Sequence, residues 1–187
     1  TLSGERTEAM LASDLADSLY YQMIGQAYPD RYRAQLDEIY YDTAIRELPH
    51  GDYSPGATAR LLVAAPKYLS VQSAADYLWQ VMLDPASNRE DIMDAYMGLA
   101  AAGEPVMLDI QRILAEDASL SRLDRLKLGC GLAAIGDQAG AQQVLDAVSE
   151  DFVREDDRMY LDGGSRDGTL QETGAALMLA SIVGSPD

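Results

Sequence analysis

Three observations predict an all-α fold. Apolar residues recur at three- and four-residue spacing along nearly the whole chain, the apolar/polar alternation of strands is almost missing, and helix start and stop signals punctuate the sequence at short intervals. The stops also align with one another: Leu62-Val63-Ala64-Ala65-Pro66, Leu99-Ala100-Ala101-Ala102-Gly103, Leu132-Ala133-Ala134-Ile135-Gly136 and Ala180-Ser181-Ile182-Val183-Gly184. Their breakers lie 37, 33 and 48 residues apart, the length of one helical hairpin per repeat. Small residues at these helix ends permit close backbone approach. The predicted architecture is therefore a stack of αα-hairpins, as a superhelix or a closed or partial ring, and not a four-helix bundle.

About nine helices are expected. The first runs from near Thr7 to Ala27, and the second opens after Pro29-Asp30 and ends before Pro49-His50-Gly51. Ser54-Pro55, a cap followed by proline at the first helical position, starts a helix that Pro66 stops. Ser70 or Ser73 caps the next, through Leu83. Ser87 and Glu90 have capping-box spacing, and that helix ends at Gly103 as a left-handed cap. Pro105 begins another helix, to Ala115. Ser121 with Asp124 repeats the start signal, Gly136 repeats the stop, and Gln138 to Ser149 completes that pair. From 150 to 168 the helical period is lost; this reads as an acidic inter-helix loop with a short extended piece at Arg158–Leu161, followed by a helix from Thr169 to Val183.

Composition narrows the function. The 187 residues, 48% of them apolar, fit a single domain with its own core. Fourteen basic against 31 acidic residues give a net charge of −17, which repels nucleic-acid phosphates and anionic lipid surfaces, so neither is an expected partner. No apolar run approaches the length of a membrane-spanning helix, so no direct membrane insertion is expected. A single cysteine forbids an intrachain disulfide, and a single histidine, His50, removes mechanisms that need a histidine pair as well as zinc sites. The chain opens at Thr1 without an initiator Met, basic n-region or apolar h-region, and is expected to be a piece of a larger protein spanning one helical domain over 1–187.

The run Gly168-Thr169-Leu170-Gln171-Glu172-Thr173-Gly174-Ala175-Ala176-Leu177 resembles the Gly-Ser-Thr-Gln-Asp-Thr-x-x-Ala-Leu run in the thioester domain of the α2-macroglobulin and complement family. Tyr160 and Asp162 stand where that family has an aromatic and an acidic residue, and the helical pair before the loop is similar as well. The resemblance covers Ser121 to Asp187 and implies an α/α toroid, an architecture shared with terpenoid cyclases and protein prenyltransferases. That family's thioester needs a cysteine followed three residues later by glutamine. Here Cys130 is followed by Gly131-Leu132-Ala133, so this segment lacks the motif, and an upstream portion of a longer protein would have to hold it.

Each reactive residue type has a plain structural reading beside the functional one. Cys130 lies on an apolar helical pattern, with Arg125 and Lys127 as the only basic residues near it, and reads as a small core hydrophobe. His50 reads as a surface-turn residue. Glu155, Asp156, Asp157, Asp162, Asp167 and Glu172 offer oxygens to a hard cation such as calcium. They miss the EF-hand register, however: with Gly168 at its glycine position, Gly163 and Gly174 fall where ligands belong, so a solvated acidic loop is the reading taken and no metal is expected. The aspartate-rich signature of ionising cyclases does not occur. Ten of the eleven tyrosines precede residue 100, and if a binding face exists, Tyr20, Tyr21, Tyr40, Tyr41 and Tyr53 are its candidates, the adjacent pairs pointing to different parts of a helix surface.

The expected function is a non-catalytic protein-interaction or scaffold module, not an enzyme and without a cofactor. By the resemblance it belongs to a larger bacterial α2-macroglobulin-like protein of the cell envelope or exterior that traps proteases or engages foreign proteins. A cytoplasmic helical-repeat scaffold is the alternative, and an α/α-ring carbohydrate-active enzyme using paired carboxylates a third.

Overall fold

The structure, a computed structural model, describes residues 20–21, 24–27, 54–64, 66, 70–156 and 158–184. Among these residues the fold is all-α: seven helices and one two-stranded hairpin, in the order α1 (Pro55–Ala64), α2 (Val71–Leu83), α3 (Arg89–Ala101), α4 (Met107–Glu116), α5 (Arg122–Ala134), α6 (Gln138–Ser149), β1 (Phe152–Glu155), β2 (Arg158–Leu161) and α7 (Arg166–Val183). The expected helix after Pro29, His50, and the tyrosines Tyr40, Tyr41 and Tyr53 lie outside the described residues. Of the expected first helix, Tyr20 and Tyr21 are helical, and a turn with Gly25 at φ 65 ends it just before Ala27.

The odd-numbered helices lie side by side in the order α1, α3, α5, α7, and the even ones cover them: α2 on α1 and α3, α4 on α5, α6 on α5 and α7. The four aligned sequence stops are the C-terminal ends of the odd helices, so the repeat marks the inner layer and each even helix is its outer partner. Burial follows the layering. In α3 Met93 through Ala95 and Met97 through Ala100 are buried, and in α5 every residue from Leu126 to Ala133 is, whereas α4 buries only Ile110. A helix apolar on all sides belongs inside, and one with a single buried stripe belongs on the rim.

Small residues set how closely the layers approach. A Cβ on Gly98 would stand 3.0 Å from Ala59 Cα of α1 and would also collide with Leu78 of α2. On α5, a Cβ at Gly129 would meet Val144 of α6 at 2.9 Å and Leu179 of α7 at 3.0 Å, and one at Gly131 would meet Ala100, Ile110 and Met97 at 3.3 Å. The glycines lie within the helices as well as at their ends, and each faces a different neighbour.

The start and stop chemistry follows the sequence with four differences. Ser54 Oγ accepts from Ala57 N, Ser70 rather than Ser73 caps α2, and Ser121 with Asp124 forms the full capping box of α5. Gly103 and Gly136 hold φ 84 and 98, and behind each the next amide reaches back five residues, Glu104 N to Leu99 O at 2.9 Å and Asp137 N to Leu132 O at 2.8 Å. The first difference is the cap of α3. It is Asn88, whose Oδ1 accepts from Asp91 N, because the Ser87 hydroxyl is already committed to Val81 O of the preceding helix. Second, α4 begins at Met107, two residues past Pro105, with Val106 as an N-cap lacking a side-chain hydrogen bond.

Third, the expected loop at 150–168 is largely ordered: β1 and β2 pair antiparallel, with Phe152 opposite Leu161 and Glu155 opposite Arg158. Asp156, directly after β1, takes φ 52, as tight hairpin turns require. Two four-residue strands are too short to raise a visible alternation, so only the second is legible as an extended piece. Fourth, α7 starts at Arg166 rather than Thr169: Ser165 caps it by accepting from Gly168 N at 3.0 Å, so a glycine that reads as loop lies in the first helical turn.

Gly98→Val drives a branched side chain into the α1 backbone and is expected to destabilise the chain by about 1–3 kcal/mol. Gly174, on the open side of α7 with no atom within 4 Å of a Cβ, is the contrast: Gly174→Ala is expected to stabilise by roughly 0.5–1 kcal/mol. Urea midpoints read both, and equal effects of the two substitutions would refute the inner-layer packing.

Candidate functional site

The tyrosine face can be followed only at its first pair. Tyr20 is 58% exposed, and the Tyr20 and Tyr21 rings meet edge to face with centroids 5.8 Å apart. These adjacent rings therefore lean together where the helical angle alone would send them to different parts of the surface.

Cys130 is fully buried in the inner layer, its thiol 3.7 Å from Ala175 O, and burial pushes its pKa up to about 12. A thiol held protonated and out of solvent is no nucleophile.

Two polar junctions tie the inner helices together, and neither stood out as a site in the sequence. In the first, Lys127 of α5 and Asp94 of α3, both almost fully buried, stand 2.9 Å apart, with Glu90 at 3.4 Å from the same ammonium. The Asp94 Oδ1 lies within ion-pair distance but off the hydrogen-bond direction, and burial raises the Asp94 pKa against the pull of Lys127. A Cβ on Gly56, in the first turn of α1, would stand 2.9 Å from Asp94 Oδ2, so the carboxylate also rests against the start of that helix.

The second junction is built around Arg122, the first residue of α5. Its guanidinium donates to Glu172 of α7 through Nε at 2.7 Å, to Asp162 O of the loop through Nη2 at 2.5 Å, and to Asp151 through Nη1 at 3.2 Å. On the same helix Thr169 Oγ1 accepts from Gly163 N at 3.2 Å and Thr173 Oγ1 accepts from Leu161 N at 3.0 Å. The polar residues of the run Thr169-Leu170-Gln171-Glu172-Thr173 thus hold the end of β2 and the following loop onto α7. Their spacing of three and four residues places them on one helix side and was the available signal. A Cβ on Gly168 would stand 2.6 Å from Gly163 O, so the loop amides can reach these hydroxyl acceptors only past a residue without a side chain.

Glu172 is therefore paired with a guanidinium and Asp162 Oδ1 accepts from Gly164 N at 2.9 Å, while Glu155 and Asp156 sit at the hairpin tip. Among the described residues no group of three or more His, Cys, Asp or Glu side chains is placed to hold a metal ion. No helix among the described residues is long and apolar enough to cross a membrane.

A groove of about 520 Å³ lies in the outer layer, where α4 and α6 both pack on α5. Gln111 Nε2 donates to Asp137 Oδ2 at 2.7 Å and closes one end. Asp137 also caps α6 through Gly140 N, and these bonds, the backbone one first, hold its carboxyl below the ordinary range. Leu114, Leu132, Val144 and Ala147 form apolar walls, and Arg125 and Gln143 bring polar heads to them.

No known family, known protein or solved structure matches this chain.

A smaller cleft of about 280 Å³ lies between the starts of α3 and α5 and the side of α7, lined by Arg89, Glu90, Asp124 and Gln171. Its charged groups are tied to the fold: Arg89 pairs with Asp117 at 2.6 Å, Asp124 closes the α5 capping box, and Glu90 faces Lys127. The groove between α4 and α6 is the better candidate, since its walls are apolar and its polar heads few.

Arg122→Met leaves Glu172 half-hidden without its cation and frees the hairpin base, so a loss of about 1.5–3 kcal/mol is expected, part of it restored in Arg122→Met/Glu172→Gln. Urea denaturation of the two variants checks this, and a change within about 0.5 kcal/mol for the single variant would mean that Arg122 is only a surface residue. Cys130 is expected to stay unreactive towards a thiol-exchange dye at pH 8 until the chain unfolds, and then to titrate as one thiol. Fast labelling of the folded chain would contradict its burial.

Proposed function

We propose that this chain is a non-catalytic protein-interaction module whose working surface is the groove between α4 and α6. The observation that carries the reading is the groove itself: an open, helix-lined concavity with apolar walls in the outer layer, held by an inner layer of closely packed odd helices. The reactive side chains fit the same reading. The Cys130 thiol is sealed, Lys127 is spent on Asp94, and Glu90 and Asp124 are engaged in ion pairing and capping.

The alternation of inner and outer helices supports an arc of an α/α toroid. Together with the run from Gly168 to Leu177, it favours a place in a larger bacterial envelope protein resembling α2-macroglobulins, one that engages foreign proteins or proteases. The anchoring of the loop by Thr169, Glu172 and Thr173 gives that run a structural purpose which needs no thioester.

Panning a random twelve-residue peptide library against the immobilised full chain tests the interaction reading. Enrichment of a consensus whose binding falls at least tenfold in Ala147→Trp, which fills the groove, is the expected result. No consensus, or one that binds Ala147→Trp equally well, would overturn the assignment of this surface.

A further inference from the structure

The β-hairpin leaves one edge open. Leu161 N donates to Thr173 Oγ1 of α7 at 3.0 Å, so the amide of Leu161 points away from β1. Along an antiparallel pair, successive facing residues turn their backbone groups alternately toward and away from the partner strand. Phe152, opposite Leu161, therefore turns its N–H and C=O away from β2; Val153 turns toward Tyr160, and Arg154 turns away again. The outer edge of β2 lies against α7 and is closed there by Thr173. The outer edge of β1 meets no third strand among the described residues, and neither outward amide finds an acceptor among them. Such a row of free donors and acceptors is a template for another strand.

The side chains of β1 say which strand fits. β2 already answers them on the other side: the register sets Arg158 opposite Glu155, Met159 opposite Arg154, Tyr160 opposite Val153 and Leu161 opposite Phe152. A strand added on the open edge meets the same side chains in the same order and on the same two faces. Phe152 is half-buried and packs against the core, so an apolar residue fits beside it. Glu155 and Asp156 are exposed at one end of the edge, and Glu150 and Asp151, the latter shared with Arg122, at the other, so basic residues fit at both ends. A second copy is disfavoured. The register that uses both outward residues of each β1 sets Asp151 opposite Glu155 twice, and two chains of −17 charge repel each other. We infer that the outer edge of β1 receives an extended, basic segment of a partner protein as a third, antiparallel strand, with an apolar residue beside Phe152 and cations at either end. This surface is separate from the groove between α4 and α6 and does not depend on the reading given to it.

The experiment uses the full chain and dye-labelled peptides. The parent is Lys-Arg-Met-Tyr-Leu-Lys-Lys, which brings its Met beside Arg154 and its Leu beside Phe152. One variant peptide carries N-methyl groups on Met and Leu, whose amides face β1 in this pairing; a second carries one on Tyr, whose amide faces away; a third has Glu for every basic residue. Fluorescence anisotropy is expected to show saturable binding of the parent and of the Tyr-methylated peptide, and at least tenfold weaker binding of the other two. In the chain, Arg154→Pro removes an outward N–H without taking a donor from the β1–β2 ladder, and is expected to weaken the parent peptide at least tenfold while circular dichroism stays unchanged. Ala147→Trp, which fills the groove, is expected to bind the parent as the unaltered chain does. No saturable binding of the parent, equal binding of the doubly methylated or acidic peptide, or undiminished binding by a folded Arg154→Pro chain would overturn the inference. Loss of binding in Ala147→Trp would move the peptide to the groove and overturn it too, and self-association abolished by Arg154→Pro would put a second copy on the edge with the same result.

Discussion

Close backbone approach along the inner layer is the constraint on which the rest of the structure depends. Gly98, Gly129 and Gly131 each give up a side chain where a neighbouring helix stands too near for one. Glycine within a helix costs roughly 0.5–1 kcal/mol relative to alanine, so three of them in α3 and α5 need compensation from what they admit. What they admit is contact for Ala59, Leu78, Val144 and Leu179, and with it the burial of almost every residue in the second half of α5. Van der Waals attraction between single atoms is small, and it becomes decisive only when surfaces meet without gaps over a long seam. The outer helices then need only one apolar stripe each, which is why α4 buries a single residue and still holds its place.

The two polar junctions work against this apolar seam and give it a register. Lys127 and Asp94 lose their hydration and recover it only in part, since one Asp94 oxygen lacks a hydrogen bond, so the pair is a poor source of stability. Its geometry is nonetheless specific: sliding α3 along α5 by one turn would leave two buried charges apart. Arg122 does the same for the far side of α5, where one guanidinium meets a helix, a loop carbonyl and the segment before the β-hairpin. An apolar seam alone tolerates slippage more easily than these fixed pairs do.

Much of the fold was legible because helix boundaries are written in local chemistry. Proline, serine and glycine at Ser54-Pro55, Ser121, Gly103 and Gly136 act within four residues of themselves, and the structure uses all of them as read. The misreadings arose where a residue had a competing long-range partner. Ser87 looks like a cap but is taken by Val81, and Gly168 looks like a loop but lies where a backbone passes too close for a side chain. The hairpin was half visible because a strand of four residues gives too few alternations to separate from noise. The candidate groove was not legible at all. Its residues come from three helices, and no local pattern records which of them the packing brings together.

The β-hairpin between α6 and α7 explains the uneven spacing of the repeat, 48 residues where the others have 37 and 33. Its strands are clamped at the base by Arg122, Thr169 and Thr173, while the tip at Glu155 and Asp156 projects into solvent. Lengthening a loop is cheap once its ends are fixed, with each doubling costing only about 0.6 kcal/mol. Connectivity and packing are therefore uncoupled at this point: additional sequence can be carried at the tip while α6 and α7 keep their seats on α5. A stack built this way can be decorated without being rebuilt, and the tip of this hairpin is where the molecule can acquire new surface at the least cost to its core.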